Sequence, residues 1–219
     1  MILGLNGHNA GNGISQQNME LWQGQAENLE IKQNKRFDFH ATPLEGLWVI
    51  QRKPIKDQRG FFSRFFCAEE FRVAGLKKPI AQINHTRTFK KGAVRGMHFQ
   101  YQPHAECKIV SCLRGEVYDV AVDIRKGSPT FLHWHSVILS AANQKSMLIP
   151  EGFAHGFQTL IEDCELIYLH TVPFTDLSEA AINIADPEVG IIWPIPITDI
   201  SDRDLHHPFI TDKFKGVEV

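Results

Sequence analysis

The chain has 219 residues, 43% of them hydrophobic and 22% charged, with a formal net charge of −2. That length allows one all-β domain with a full core, or at most two small domains. The near-neutral balance gives no electrostatic footing for nucleic acid or an anionic membrane surface, so an anionic ligand must be held by a local cluster of cations. No apolar run approaches the roughly 20 residues of a membrane span. The start, Met1-Ile-Leu-Gly-Leu-Asn, lacks the basic region and long apolar segment of a secretory signal. Cys67, Cys107, Cys112 and Cys164 form no CxxC pair, which points to free buried thiols in a reducing cytoplasm rather than disulfides or zinc.

Residues 1–36 are rich in Asn, Gln and Gly and read as an extension that packs on the domain or on a partner subunit. A helix is expected from Ser15, with Met19, Trp22, Ala26 and Leu29 on one face. Gly24 counts against it by about 1 kcal/mol relative to Ala. From about Leu44 the pattern becomes β. A short strand at 47–50 precedes the turn Asp57-Gln-Arg-Gly60, the aromatic run at 61–66, a short helix within 68–76 and a strand at 80–86. Further strands are expected around 94–100, 107–113, 116–124, 131–139, 146–149, 156–161 and 164–171, separated by turns such as Arg114-Gly115 and Lys126-Gly-Ser-Pro129. Many short strands with tight turns indicate a sandwich or barrel. In 117–124, Tyr118, Val120, Val122 and Ile124 share one face and Val117, Asp119, Ala121 and Asp123 the other. The two carboxylates face either a polar cavity or water, and this strand alone favours water. The last forty residues are Pro-rich and read as a tail laid over the barrel.

Two stretches carry chemistry. Lys91-Gly-Ala-Val-Arg-Gly-Met-His98-Phe-Gln100 sets two cations, two glycines and a histidine between apolar runs. It is either a turn leading into an ordinary strand, or an anion site beside a basic imidazole. Ile149-Pro-Glu-Gly-Phe-Ala-His155 makes a sharp bend and then presents a histidine. It is similar to half of a cupin metal motif, but 96 and 100 are Gly and Gln, so the opening stretch supplies no His-x-His. His133 and His135 form such a pair, on a strand whose other residues suit an ordinary surface. Arg59 reads as a turn charge, Asp204 as a helix cap or loop residue, and Lys108 as exposed unless an anion meets it inside.

In order along the chain these pieces become specific. Asp57-Gln-Arg-Gly-Phe-Phe62, Gln82-Ile-Asn84, Arg95-Gly-Met-His-Phe-Gln100, Gly115 to Arg125, Ser128-Pro-Thr-Phe131, Ile149 to Phe157, Asp186-Pro187 and Gly190-Ile-Ile-Trp-Pro194 all take part. With these runs the chain resembles the dTDP-4-dehydrorhamnose 3,5-epimerase family from Asp57 to about Pro208. The resemblance implies an all-β, double-stranded β-helix (cupin, jelly-roll) domain over 37–219 and a homodimer. It also implies a site with neither metal nor cofactor that takes a nucleotide-diphosphate 4-keto sugar. It makes His98 the base, Asp204 its hydrogen-bond partner and Lys108 the cation near the ketone. Asp119 and His155 match positions lining the cavity, Arg59 and Arg95 match arginines that hold the diphosphate, and Gln82 and Asn84 match polar residues near the sugar and nucleotide.

Two residues depart from the family. Six residues after Tyr168, where the family has a tyrosine proposed as the acid, the chain has Phe174; where the family has a glutamate, it has Arg64. Three functions follow: an epimerase of narrower scope, using Tyr168 or water as acid; a nucleotide-sugar binder without turnover; or metal chemistry recruiting His133, His135 or His155.

Overall fold

A computed structural model of the chain describes residues 29–219. The helix expected from Ser15 lies outside the described residues, apart from Leu29, as does most of the 1–36 extension. The described residues form two antiparallel sheets stacked as a jelly roll. One sheet has seven strands in the order β1 (Ile31–Gln33), β2 (Phe37–Ala41), β3 (Trp48–Arg52), β11 (Lys145–Ile149), β8 (Lys108–Arg114), β13 (Cys164–His170), β6 (Gln82–Thr88). The other has five: β10 (Trp134–Ser140), β9 (Glu116–Asp123), β12 (Phe153–Thr159), β7 (Val94–Gln100), β14 (Glu179–Ala181). A separate hairpin joins β4 (Ile55–Asp57) to β5 (Gly60–Phe62). The short helix expected within 68–76 is a 3₁₀ turn over Glu70–Ala74. The first two strands precede the expected onset of β structure, and β1 lies within the stretch read as an extension.

Three apolar layers hold the sheets. Between them lie Val110, Cys112, Val117, Ala121, Met147, Phe153, Phe157 and Leu166. On the outer face of the seven-stranded sheet, Phe37, Phe39, Trp48 and Ile50 pack on Phe71 of the 3₁₀ turn, with the Phe37 and Phe39 rings edge-on to it. On the outer face of the five-stranded sheet, Val94, Met97, Val120, Val122 and Ile124 meet Ile182, Ile184, Val189 and Val217 of the tail. Both faces of the β9 strand are therefore buried. The solvent reading of its carboxylates is corrected: Asp119 and Asp123 are fully buried on the inner face, and the apolar face looks out onto the tail. Each carboxylate has partners there. Asp119 meets His155 at 2.9 Å, and Asp123 accepts from Arg125, Ser128 and Thr130 at 2.6–2.9 Å.

The β7 and β12 strands cross closely at two glycines. Pairing runs His98 with His155, then Arg95 with Phe157, so three steps along β7 match two along β12. That is a bulge of one extra residue. It turns Arg95 and His98 to the same inner face, although strict alternation would send residues three apart to opposite faces. Gly96 sits at φ +140°, which only glycine adopts readily. A Cβ on Gly156 would lie 2.7 Å from the Arg95 carbonyl, 3.0 Å from Gly96 Cα and 2.5 Å from Met97 Sδ. Two of these neighbours are backbone and have little room to yield. Gly156→Ala is expected to lower stability by about 1–3 kcal/mol, the usual cost of an overpacked interior, read as a lower urea midpoint at unchanged slope.

Candidate active site

At one end of the barrel the apolar filling gives way to a cavity of about 510 Å³. The five-stranded sheet contributes Arg95, His98, His155 and Glu179 to its wall, and the seven-stranded sheet contributes Asn84, Thr86, Lys108, Tyr168 and His170. The tail brings Ser201, Arg203 and Asp204 across the mouth.

Asp204 arrives on α1, a single turn over Asp202–Leu205. The cap of this turn is Ser201, whose hydroxyl accepts from the Asp204 N–H at 3.1 Å. A Ser-x-x-Asp sequence normally sends its acid back to the cap. Here the carboxylate turns away: Oδ1 lies 2.8 Å from His98 Nε2, and Oδ2 accepts from the Gly96 N–H at 3.3 Å. Burial pushes the Asp204 carboxyl up, but the hydrogen bond and charge of His98, the Gly96 N–H and the Arg203 charge outweigh it and hold the group below its ordinary pKa. Two groups approach His98 Nε2: the acceptor-only carboxylate of Asp204 at 2.8 Å and the donor-only guanidinium of Arg203 at 3.2 Å; the shorter contact, to Asp204, assigns the proton to Nε2 and leaves Nδ1 with the lone pair. Arg203 flanks the pair, donating to Glu179 at 2.9 Å.

Lys108 points inward and is 7% exposed. The anion that makes this affordable is Glu106, at 3.0 Å. A second Lys108 N–H reaches the His98 carbonyl at 3.3 Å, which leaves one of its three donors uncommitted. Glu106 also accepts from His170 Nδ1 at 2.9 Å. Burial raises the Glu106 carboxyl, yet the His170 hydrogen bond and the Lys108 charge bring it below its ordinary value. Tyr168 lies between, its ring stacked at 23° on His170 and its hydroxyl accepting from Thr86 at 3.4 Å. Burial pushes that phenol well above its ordinary pKa.

The remaining predicted residues take varied places. Arg95, Asn84 and His155 line the cavity, and Phe174 stands half exposed at its rim. The Arg95 guanidinium is held by Thr88 at 3.0 Å, and among the described residues no carboxylate pairs with it. Asp119 does not line the cavity: it sits behind His155 and holds that ring at 2.9 Å. Gln82 is likewise one step back. Its amide donates to Asn84 at 3.0 Å and its carbonyl accepts from the Phe174 N–H at 3.0 Å, so it ties the rim to the wall. Arg59 does not reach this cavity within the single chain; its side chain is 83% exposed on the β4–β5 hairpin and bonded to Asp57. Arg64 pairs with Glu70 at 2.6 Å, away from the cavity. His133 and His135 do not line the cavity that His155 lines. Among the described residues the three-member set spaced for a metal is instead His98, Asp204 and His207.

Sequence reasoning missed Glu106 and His170. Their signal was present: each stands two residues from a cavity residue on the same strand path, Lys108 and Tyr168, and a period of two puts them on the same face.

Residues 41–212 match the family described as dTDP-4-dehydrorhamnose 3,5-epimerase. The dTDP-4-dehydrorhamnose 3,5-epimerase of Shigella flexneri is 41% identical over 166 residues, 75% of this chain and 91% of that protein. A crystal structure of the dTDP-6-deoxy-D-glucose-3,5-epimerase of Legionella pneumophila, in complex with dTDP-4-keto-L-rhamnose, superposes with TM-score 0.76 at 35% identity, covering 88% of this chain and 99% of that one. A 3'-monoepimerase of Streptomyces bikiniensis, in complex with dTDP-quinovose, superposes with TM-score 0.72 at 36% identity, covering 76% and 85%.

Carboxyls held below their unfolded pKa add stability above that value, about 4, and lose it as pH falls through the folded value. Asp204 and Glu106 both shift this way. Stability is therefore expected to fall on acidification, and Asp204→Asn, lacking one such carboxyl, to show a shallower acid limb when urea unfolding is followed from about pH 6 to about pH 3.

Proposed function

The chain belongs to the dTDP-4-dehydrorhamnose 3,5-epimerase family, an isomerase family, and from that premise we propose that it inverts a nucleotide-linked 4-keto-6-deoxy sugar at a carbon next to the ketone. The observation that carries this reading is the His98–Asp204 hydrogen bond inside a cavity that also holds Lys108. A C–H beside a ketone is acidified because its electron pair can move onto the carbonyl oxygen. His98 takes that proton at Nδ1, while Asp204 fixes the tautomer and stabilises the imidazolium that forms. The free N–H of Lys108 meets the oxygen as it becomes an enolate; the other two are already engaged. Arg95, free of any carboxylate partner among the described residues, offers its guanidinium to the diphosphate at the cavity mouth. His155, held by Asp119, and Asn84, braced from behind by Gln82, line the sugar end.

We assign the reaction to a single centre. Phe174 stands at the rim with a ring and no proton to give, and the proteins this chain is similar to include a 3'-monoepimerase as well as 3,5-epimerases. A homodimer belongs to the same reading. The hairpin carrying Arg59 exposes Ile55, Phe61 and Phe62, and the edge strand β6 exposes Ile83, apolar area that suits a second copy. The four free cysteines, two of them buried, suit a reducing cytoplasm, and among the described residues no helix is long and apolar enough to cross a membrane.

In D₂O with a dTDP-linked 4-keto-6-deoxyglucose, one deuterium per sugar is the expected outcome, counted by mass spectrometry and located by NMR. Two would reject the single-centre assignment. His98→Asn should remove exchange by a factor of about 10² or more, and persistent exchange would reject His98 as the base. Phe174→Tyr should open exchange or inversion at a second centre; an unchanged pattern would show that the missing hydroxyl does not limit scope.

A further inference from the structure

Two residues past α1, the tail sets a third side chain against the His98–Asp204 pair. His207 Nε2 lies 3.7 Å from Asp204 Oδ1, beyond hydrogen-bond length, and its ring stands edge-on to that of His98 with centroids 6.2 Å apart. That nitrogen is buried and makes no hydrogen bond. Buried polar atoms normally have a partner, so a ring nitrogen turned to a carboxylate without one points to a missing ligand. Its backbone is fixed in place: the His207 carbonyl accepts from the Asn183 amide at 2.7 Å. Enolisation gives this ring no task.

One ligand atom from each of His98, Asp204 and His207 falls within 4.8 Å of the other two. Ligands of a tetrahedral zinc ion, at 2.0–2.2 Å from the metal, stand about 3.3 Å from each other. The contacts of Asp204 Oδ1 to the two Nε2 atoms, 2.8 and 3.7 Å, bracket that spacing. Two imidazoles and a carboxylate suit zinc and its neighbours, whereas magnesium and calcium favour oxygen ligands throughout. Arg203 is the opposing charge, its Nη2 3.2 Å from His98 Nε2. Its side chain is 56% exposed and already pairs with Glu179 at 2.9 Å, so it can withdraw toward solvent and keep that anion.

We propose that His98, Asp204 and His207 form a binding site for a zinc-class divalent ion, and that the ion switches the enzyme off. The second half rests on the enolisation reading; the first half does not. A neutral imidazole has one N–H and one lone pair. In the free protein the His98 proton sits on Nε2, toward Asp204. An ion on Nε2 needs the lone pair there, so the proton moves to Nδ1, the nitrogen that enolisation needs bare. The ion is thus an inhibitor and not a cofactor. It lies on the Asp204 side of the ring and the sugar on the other, so it stops the reaction by disabling the base and not by excluding the sugar.

The test titrates zinc chloride into the full-length protein after treatment with EDTA. Binding is followed by calorimetry, and exchange by NMR in D₂O with the dTDP-linked 4-keto-6-deoxyglucose. One zinc per chain should bind and abolish exchange, EDTA should restore it, excess sugar should not, and magnesium should have no effect. His207→Ala and His207→Phe, the second keeping a ring without its nitrogens, should exchange like the unmodified protein in EDTA. Both should need at least about 10-fold more zinc for the same loss, since even the outer partners of metal ligands are worth 10–100-fold in affinity. Zinc held by the sugar's own diphosphate acts equally on all variants and cannot produce that difference. Arg203→Met should need less zinc than the unmodified protein. Unchanged zinc affinity and sensitivity in both His207 variants would overturn the proposal, as would a lack of zinc binding or inhibition relieved by excess sugar. If the unmodified protein shows no exchange at all, the enolisation reading fails and calorimetry decides the site: zinc binding that depends on His207 upholds it, and binding that does not overturns it.

Discussion

The hydrogen bond between His98 and Asp204 joins groups 106 residues apart, and most of the chain's architecture is needed to make it. His98 comes from a strand inside the five-stranded sheet. Asp204 comes from the tail, which must first cross the outer face of that sheet. The crossing is driven by burial of Ile182, Ile184, Val189 and Val217 against Val94, Met97, Val120 and Val122. It is then pinned by backbone and side-chain bonds: the Val94 N–H to the Asp199 carbonyl at 2.9 Å, and the Asn183 amide to the Leu205 and His207 carbonyls at 3.2 and 2.7 Å. Loosening any part of this outer layer moves Asp204, so residues remote from the cavity set the orientation of the proposed base.

The same burial creates a debt of polar groups inside the barrel. A buried charge is tolerable only when paired and hydrogen-bonded. The inner face settles this locally, through three histidine–carboxylate pairs on different strands: His98 with Asp204, His155 with Asp119, and His170 with Glu106, the last shared with Lys108. A chain with a net charge of only −2 can therefore present cations and bases to an anionic ligand. Local pairing and not a global field makes the cavity hospitable, and it places each ring nitrogen at the same time.

Much of this was legible in the sequence, and the failures have definite causes. Strands with tight turns announced the all-β fold, and the ordered motifs from Asp57 onward announced the family. The first two strands were overlooked because Lys32, Gln33, Asn34, Lys35 and Arg36 give a polar signal, though Phe37 and Phe39 at a spacing of two prove fully buried. On β9 the rule that apolar residues face inward misled, because a tail covers the outer face and the inner face is polar by design of the site. The bulge at Gly96 was invisible to periodicity, yet without it Arg95 and His98 would not share a cavity. Glu106 and His170 drew no attention because their neighbours Lys108 and Tyr168 already matched family motifs. Arg59 matched too, but its partner in the single chain is Asp57.

Of the two departures that the sequence reading marks, Arg64 pairs with Glu70 away from the cavity, and Phe174 stands at the cavity rim beside the seven-stranded wall. Phe174 lies in the loop after β13, and its backbone is tied by Gln82 to the adjoining strand β6. His170 ends β13, and Glu106 precedes the neighbouring β8. All three lie on the seven-stranded side, whereas the His98 stretch, the bulge and His155 keep the motif on the five-stranded side. Removing a proton is the same problem at either carbon beside a ketone, and one fixed base with one cation can solve it. Returning a proton depends on which carbon faces the donor, and from how deep in the cavity the donor reaches.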